Sequence, residues 1–205
     1  VVMDGFSAFA AIVLGAVGFV GLLASWDLVV KVDKRGPEFV SLVLLAVAGL
    51  HMMAATPNLI VIFLGLETAS IAFYVIAGFV RRQEGSEEAA LKYFLLGSLA
   101  SAMFLYGVAL TFGATGSLSI YGVNSIRDFF ANDIVTQPGI LLAGMALMVV
   151  GLSFKVSAAP FHQWAPDVYQ GAPSGAVGIM AAGVKVAGFA ALARIFVGGF
   201  VSQID

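Results

Sequence analysis

The chain contains no cysteine and only two histidines, His51 and His162. The first absence removes disulfides, thiolate-held iron–sulfur clusters and thiol-based zinc sites. The second leaves haem and zinc ligation poorly supplied, so no redox centre and no metal site is expected in this chain. Charge is scarce as well: Asp, Glu, Lys and Arg make up 11% of 205 residues, against about 25% in soluble domains. A net charge of −2 gives no bias toward nucleic acid. The opening residues, Val1-Val2-Met3-Asp4, lack the basic n-region of a signal peptide. What is abundant is apolar surface. Hydrophobic residues reach 60% and the mean hydropathy is +1.02, values that mark an integral membrane protein.

Six apolar runs are long enough to cross a hydrocarbon core, which takes about 20 helical residues. They cover residues 6–25, 39–55, 59–80, 89–112, 138–161 and 174–200. Every backbone polar group in hydrocarbon must be satisfied within the protein, so the expected fold is an all-α bundle of about six transmembrane helices. Residues 1–205 read as one membrane domain. The chain starts without Met and stops at Asp205, just after an apolar run, so a fragment of a longer subunit is expected. There are 24 glycines but no short repeat and no duplication within the six runs.

Basic residues set the expected orientation. Lys31, Lys34 and Arg35 follow the first run, and Arg81 and Arg82 follow the third. The opposite turns carry no basic residue at Thr56-Pro57-Asn58 and only Arg127 in the long fourth connection. By the positive-inside rule the first, third and fifth connections face the cytoplasm. In the fourth connection, apolar residues at 120, 123, 126, 129 and 130 recur at helical spacing. That segment reads either as a short surface helix or as a loop packed on the bundle.

Four ionisable residues lie inside the apolar runs: Glu67, Lys92, Lys155 and Lys185. A charge at the centre of a membrane helix costs roughly 2.5–3.5 kcal/mol on insertion scales, and such residues mostly serve ion or proton paths. Lys185, about eleven residues into its run, is too deep to reach either surface easily. Lys155 precedes Pro160 by five residues, where a break in the helix would expose backbone to a cavity. Glu67 would be pulled in opposite directions by burial and by a neighbouring lysine. Lys92 is close enough to a membrane surface to snorkel. The competing readings are a structural lysine satisfied by a carboxylate or carbonyls for Lys185, a lysine bonded to the freed carbonyls for Lys155, a fixed ion pair for Glu67 and a surface-anchoring lysine for Lys92. Arg194 is expected to snorkel at the outer end of the last run, and His51 to be a packed or hydrogen-bonded core residue. His162, just after Pro160, is either a turn residue or a proton relay.

The same residues carry a family pattern. FLGLET at 63–68 through FYVIAGF at 73–79 resembles the fifth transmembrane helix of subunit N of bacterial respiratory complex I. EAALKYFLLG at 88–97 is similar to its sixth helix. FKVSAAPFH at 154–162 through WAPDVYQGAP at 164–173 is similar to its seventh helix and the following loop, and MAAGVK at 180–185 to its eighth. The resemblance implies an antiporter-like fold with a broken helix between Lys155 and Pro160. The chain would hold family helices three to eight, including the first inverted repeat of five helices, with the second repeat absent. It further implies that Glu67 pairs with Lys155, that Lys185 continues a polar axis, and that Lys92 matches a lysine typical of subunit N.

The function implied is that of a membrane subunit of a proton-pumping NADH:quinone oxidoreductase. NADH, FMN, iron–sulfur clusters and quinone would all belong to partner subunits, so this chain is expected to hold no cofactor. Neighbouring antiporter-like and small membrane subunits are the expected partners, and the bacterial inner membrane the expected location. Two other readings stay open at this point. One is a subunit of a cation/proton antiporter or a membrane-bound hydrogenase; the other is a scaffold whose buried charges only fix helix packing.

Overall fold

A computed structural model describes residues 4–31, 35–80, 85–132 and 138–200. Its helices are α1 (Gly5–Ala24), α2 (Trp26–Lys31), α3 (Gly36–Ala54), α4 (Leu59–Ala77), α5 (Ser86–Thr115), α6 (Ile126–Asn132), α7 (Pro138–Val156), α8 (Ala165–Gly171) and α9 (Ser174–Leu192). A π-helical stretch, Ala193–Gly199, continues α9. Six of these helices are long and apolar enough to span a membrane, and no strand occurs among the described residues. Lys34, Arg81 and Arg82, three of the five basic residues used to orient the chain, lie outside the described residues.

Local chemistry accounts for the helix ends. Asp4 caps α1 through a reciprocal pair of bonds with Ser7, and the Asn58 side chain accepts from Ile60 and Val61 to open α4. Gly85 and Gly116 bracket α5 in left-handed conformations. Glu87 and Glu88 favour the N-terminal pole of the same helix. These caps lengthen α5 by three residues at each end beyond the apolar run.

The bundle closes tightly where α3 crosses α4. A side chain at Gly49 would lie 2.6 Å from the Ala69 nitrogen, and one at Gly65 would lie 2.7 Å from the Gly49 carbonyl. Close backbone approach between small residues is how membrane helices associate when lipid supplies no hydrophobic drive. α5 packs along α7, and α9 lies against α1, α3, α4 and α7. Phe9, Ile12, Phe19 and Leu23 on α1, and Leu91, Leu95, Leu99 and Tyr106 on α5, point outward.

The fourth connection combines both expected forms. Leu118 and Ile120 exchange backbone hydrogen bonds with Leu59 and Pro57. Ile120 and Ile126 are fully buried against the bundle, and the short helix α6 follows.

The break after Lys155 has a different cause from the one the sequence implied. The helix ends at Val156, four residues before Pro160, so the proline kinks no helical turn. Ser157 adopts a left-handed conformation (φ 56°). Its N–H bonds to the Phe154 carbonyl at 3.1 Å, and the Ala158 N–H bonds to the Ser153 carbonyl at 2.9 Å. This is a Schellman termination, with serine in the position glycine usually takes. It stops α7 and leaves the Val156 carbonyl without a helical partner.

Candidate functional site

Lys155 sits in the last turn of α7 and is 4% exposed. Its ammonium nitrogen donates to Ser70 Oγ of α4 at 2.7 Å. Ser70 in turn donates to the Leu66 carbonyl, which leaves its oxygen lone pairs free to accept from the lysine. The rings of Tyr74, Tyr93 and Phe154 surround the same nitrogen at 5.5, 5.7 and 5.5 Å, a cation–π cage. A void of about 10 Å³ beside it, lined in part by Ser70, Tyr93 and Lys155, is near the smallest that holds one water.

Glu67 lies one turn before Ser70 on the same helix. No carboxylate among the described residues comes within 4.0 Å of Lys155. Glu67 and Lys155 therefore make no direct ion pair in this structure. Glu67 Oε1 is buried without a hydrogen-bond partner. The Tyr74 hydroxyl and Ser101 Oγ are buried alike, and Tyr74 lies beside both Ser70 and Ser101 without closing a hydrogen bond to either.

Lys185, on α9, is half-buried. Its nitrogen reaches the Val156 carbonyl at 3.4 Å and stands 6.0 Å from the centre of the Tyr169 ring. It thus takes the carbonyl freed where α7 ends, at the negative pole of that helix. Successive rings connect the two lysines. Tyr93 stacks on Trp164 at 4.7 Å, and Trp164 meets Tyr169 edge-on at 5.8 Å. Tyr169 lies in the short helix α8, where burial pushes its phenol up and Ser157 beside it offsets part of the shift. The hydroxyls of Tyr169 and Ser157 are again buried without a closed hydrogen bond. Every unpartnered buried side-chain oxygen among the described residues belongs to this Glu67–Lys155–Lys185 neighbourhood. Native interiors leave few such groups, and each calls for a reason.

The other ionisable residues separate from this centre. Lys92 lies near the start of α5 with its side chain 42% exposed, bonded to Asp167 at 2.5 Å and to Glu88 at 2.6 Å. Together they line a surface cavity at the same end of the bundle as the break. His162 is exposed, and its carbonyl accepts the Ala165 N–H at 3.0 Å, which makes it a turn residue. His51 joins α3 to α1, with ring nitrogens 2.8 Å from the Val47 carbonyl and 3.0 Å from the Ala11 carbonyl.

Arg194 does not snorkel. It is 6% exposed, and its guanidinium grips Asp4 through two bonds of 3.0 and 2.9 Å. It also donates to the Ala54 carbonyl at 2.6 Å and to the Tyr121 hydroxyl at 2.5 Å. The reason is long-range: its carboxylate partner lies 190 positions away in the sequence. Nothing local in the last run announces it.

Six apolar helices, with a break in the chain between α7 and α9 and lysines facing the interior, define a multi-pass membrane protein of antiporter-like architecture. The chain belongs to the NADH:quinone oxidoreductase/Mrp antiporter transmembrane family, whose pattern it matches over residues 56–204. It is 46% identical to NADH-quinone oxidoreductase subunit N 1 of Solibacter usitatus, over 97% of this chain and 40% of that protein. A chain of respiratory complex I from Thermus thermophilus, solved with aureothin bound, superposes with a TM-score of 0.71 at 41% identity. That match covers 90% of this chain and 39% of the other. A chain of the membrane-bound sulfane sulfur reductase, an archaeal respiratory membrane complex, gives 0.80 at 31% identity, over 93% and 37%. The resemblance to subunit N read from the motifs is borne out. The chain spans about two-fifths of the length of the relatives it matches.

Proposed function

We propose that this chain forms part of a proton-translocating membrane subunit of an NADH:quinone oxidoreductase. Glu67, Lys155 and Lys185 hold and pass the proton, and Lys92 stands at the end where protons enter. Redox cofactors and quinone belong to partner subunits, and neighbouring membrane subunits or lipid cover the outward faces of α1 and α5. The observation that carries the reading is the setting of Lys155: buried, with one hydroxyl acceptor, three rings and no carboxylate within ion-pair distance. Ser70 Oγ accepts equally from an ammonium or an amine, and the site commits no counter-ion to one form. Lys155 is therefore free to change protonation state without leaving a bound carboxylate unpaired.

Glu67 supplies the control. Two unit charges ~7 Å apart interact by about 2 kcal/mol at an effective dielectric near 20, more than one pKa unit. A change in the charge of Glu67 thus loads or empties Lys155, and Lys185 receives the proton or its field at the end of α7. Lys155→Met and Lys185→Met in the assembled complex are expected to lower the protons moved per NADH while quinone-linked NADH oxidation persists. Full stoichiometry in both, with normal assembly, would favour the scaffold reading. An Mrp-type cation/proton antiporter is the alternative that the family description also covers. Cation dependence of transport in the same vesicles separates the two.

A further inference from the structure

Arg194 draws together parts of the chain that otherwise share no element. Asp4 is the N-cap of α1, Ala54 the last residue of α3, and Tyr121 belongs to the fourth connection; the Phe6 ring lies 5.1 Å from the guanidinium carbon. The arginine itself stands at the α-to-π transition that ends α9. Nε donates once, Nη1 twice and Nη2 once, which engages four of the five guanidinium N–H groups. The side chain is 5% exposed and Asp4 is 38% exposed. All of these groups gather at the end of the bundle opposite the α7–α8 break.

We infer that the Arg194–Asp4 clasp is a proton-tight seal at this end, so that Lys155 and Lys185 exchange protons only through the end where α7 breaks. The inference rests on the proton-path reading above. Its chemistry is that of a group unable to take part in a relay. A guanidinium never gives up its proton in a protein, so it cannot accept one from one neighbour and pass it to the next. The bonding supports the same division. Among the described residues no buried side-chain oxygen beside the clasp lacks a partner, whereas the hydroxyls of Ser157 and Tyr169, at the α7–α8 break, do, and a water or a moving proton is held readily there.

Acid does not readily open the clasp. Arg194 first, and Ser7 second, hold the Asp4 carboxyl well below the usual carboxylate range. The groups facing Asp4 are the Arg194 guanidinium, the Ser7 hydroxyl and backbone, and, across the guanidinium, Tyr121.

The test uses the full subunit in the assembled complex, sealed into vesicles. Passive collapse of an imposed pH gradient is followed without NADH, and protons per NADH with it. Arg194→Gln is expected to speed the passive collapse several-fold and to lower the stoichiometry, with quinone-linked NADH oxidation unchanged. Adding Lys185→Met to Arg194→Gln is expected to abolish the extra leak. An Arg194→Gln complex that assembles and holds its gradient like the parent overturns the seal. A leak that survives Lys185→Met supports the seal but overturns the route through Lys185. If Arg194→Gln fails to assemble, Arg194→Lys, which keeps the charge opposite Asp4 but can release a proton, decides the matter. A faster collapse supports the seal, and a gradient held like the parent's overturns it.

Discussion

Arg194 and Lys155 are almost equally buried, at 6% and 4% exposed, yet the structure treats the two cations in opposite ways. Arg194 meets a carboxylate through two bonds, a carbonyl and a phenol. Lys155 meets one serine and three rings. Burial alone therefore does not single out a proton carrier. On the proposed reading the number and charge of the partners do: Arg194 is locked to a carboxylate, whereas Lys155 shares only a hydroxyl and three rings and is free to change its state.

Removing each cation should separate them sharply. The largest effect expected is functional: Lys155→Met loses most proton translocation but leaves thermal stability unchanged or slightly raised, since replacing a buried charge that lacks an ion pair relieves desolvation. Arg194→Met should do the reverse to stability. It leaves a half-exposed Asp4 and the Ala54 carbonyl without their donor, a loss of about 1–3 kcal/mol read as a lower unfolding midpoint. Ser157→Gly should stabilise the end of α7 by about 1 kcal/mol, because glycine accepts the left-handed conformation without penalty. The same change deletes one hydroxyl next to Tyr169, so a slower proton uptake alongside higher stability would mark that hydroxyl as functional.

The pH response sharpens the same contrast. Asp4 has a depressed folded-state pKa, so its contribution is fully present above the ordinary carboxylate value and is lost only as pH falls through the lower folded value. The difference in melting temperature between the parent and Asp4→Asn should therefore stay constant from about pH 8 to about pH 5. A difference that shrinks within that interval would show that the carboxylate is not clasped as described. The smallest effect belongs to Lys92→Ala. Its ion pairs with Glu88 and Asp167 are largely exposed, and such pairs contribute about 0–1 kcal/mol.

Much of this arrangement was legible in the sequence, and what was not has a common cause. Hydropathy located all six spanning helices, and the isolation of Lys155 in an apolar run pointed to its burial. The proline near Lys155 marked the right neighbourhood for a break, although Ser157 supplies the termination. The partners of each charge were not legible. Ser70, Tyr74 and Tyr93 reach Lys155 through the rotation of α4 and α5 about their axes, which hydropathy does not encode when the helices are apolar on every side. Lys185 looked the deeper of the two lysines because it is central in its run. It is less buried than Lys155, because depth along a helix says nothing about which face is turned inward. Arg194 was expected at the surface for the same reason: proximity to a helix end is visible in sequence, and a partner at position 4 is not. The π-helical stretch after Leu192 left no compositional signal.

The most direct test replaces Lys155 with arginine in the assembled complex and measures protons moved per NADH. Arginine keeps a positive charge and a hydrogen bond within reach of Ser70, but it cannot release its proton. If Lys155 works by changing protonation state, Lys155→Arg should translocate as poorly as Lys155→Met while assembly and quinone-linked NADH oxidation persist. Translocation at the parent stoichiometry in Lys155→Arg would contradict that role and leave Lys155 as a fixed charge, like Arg194.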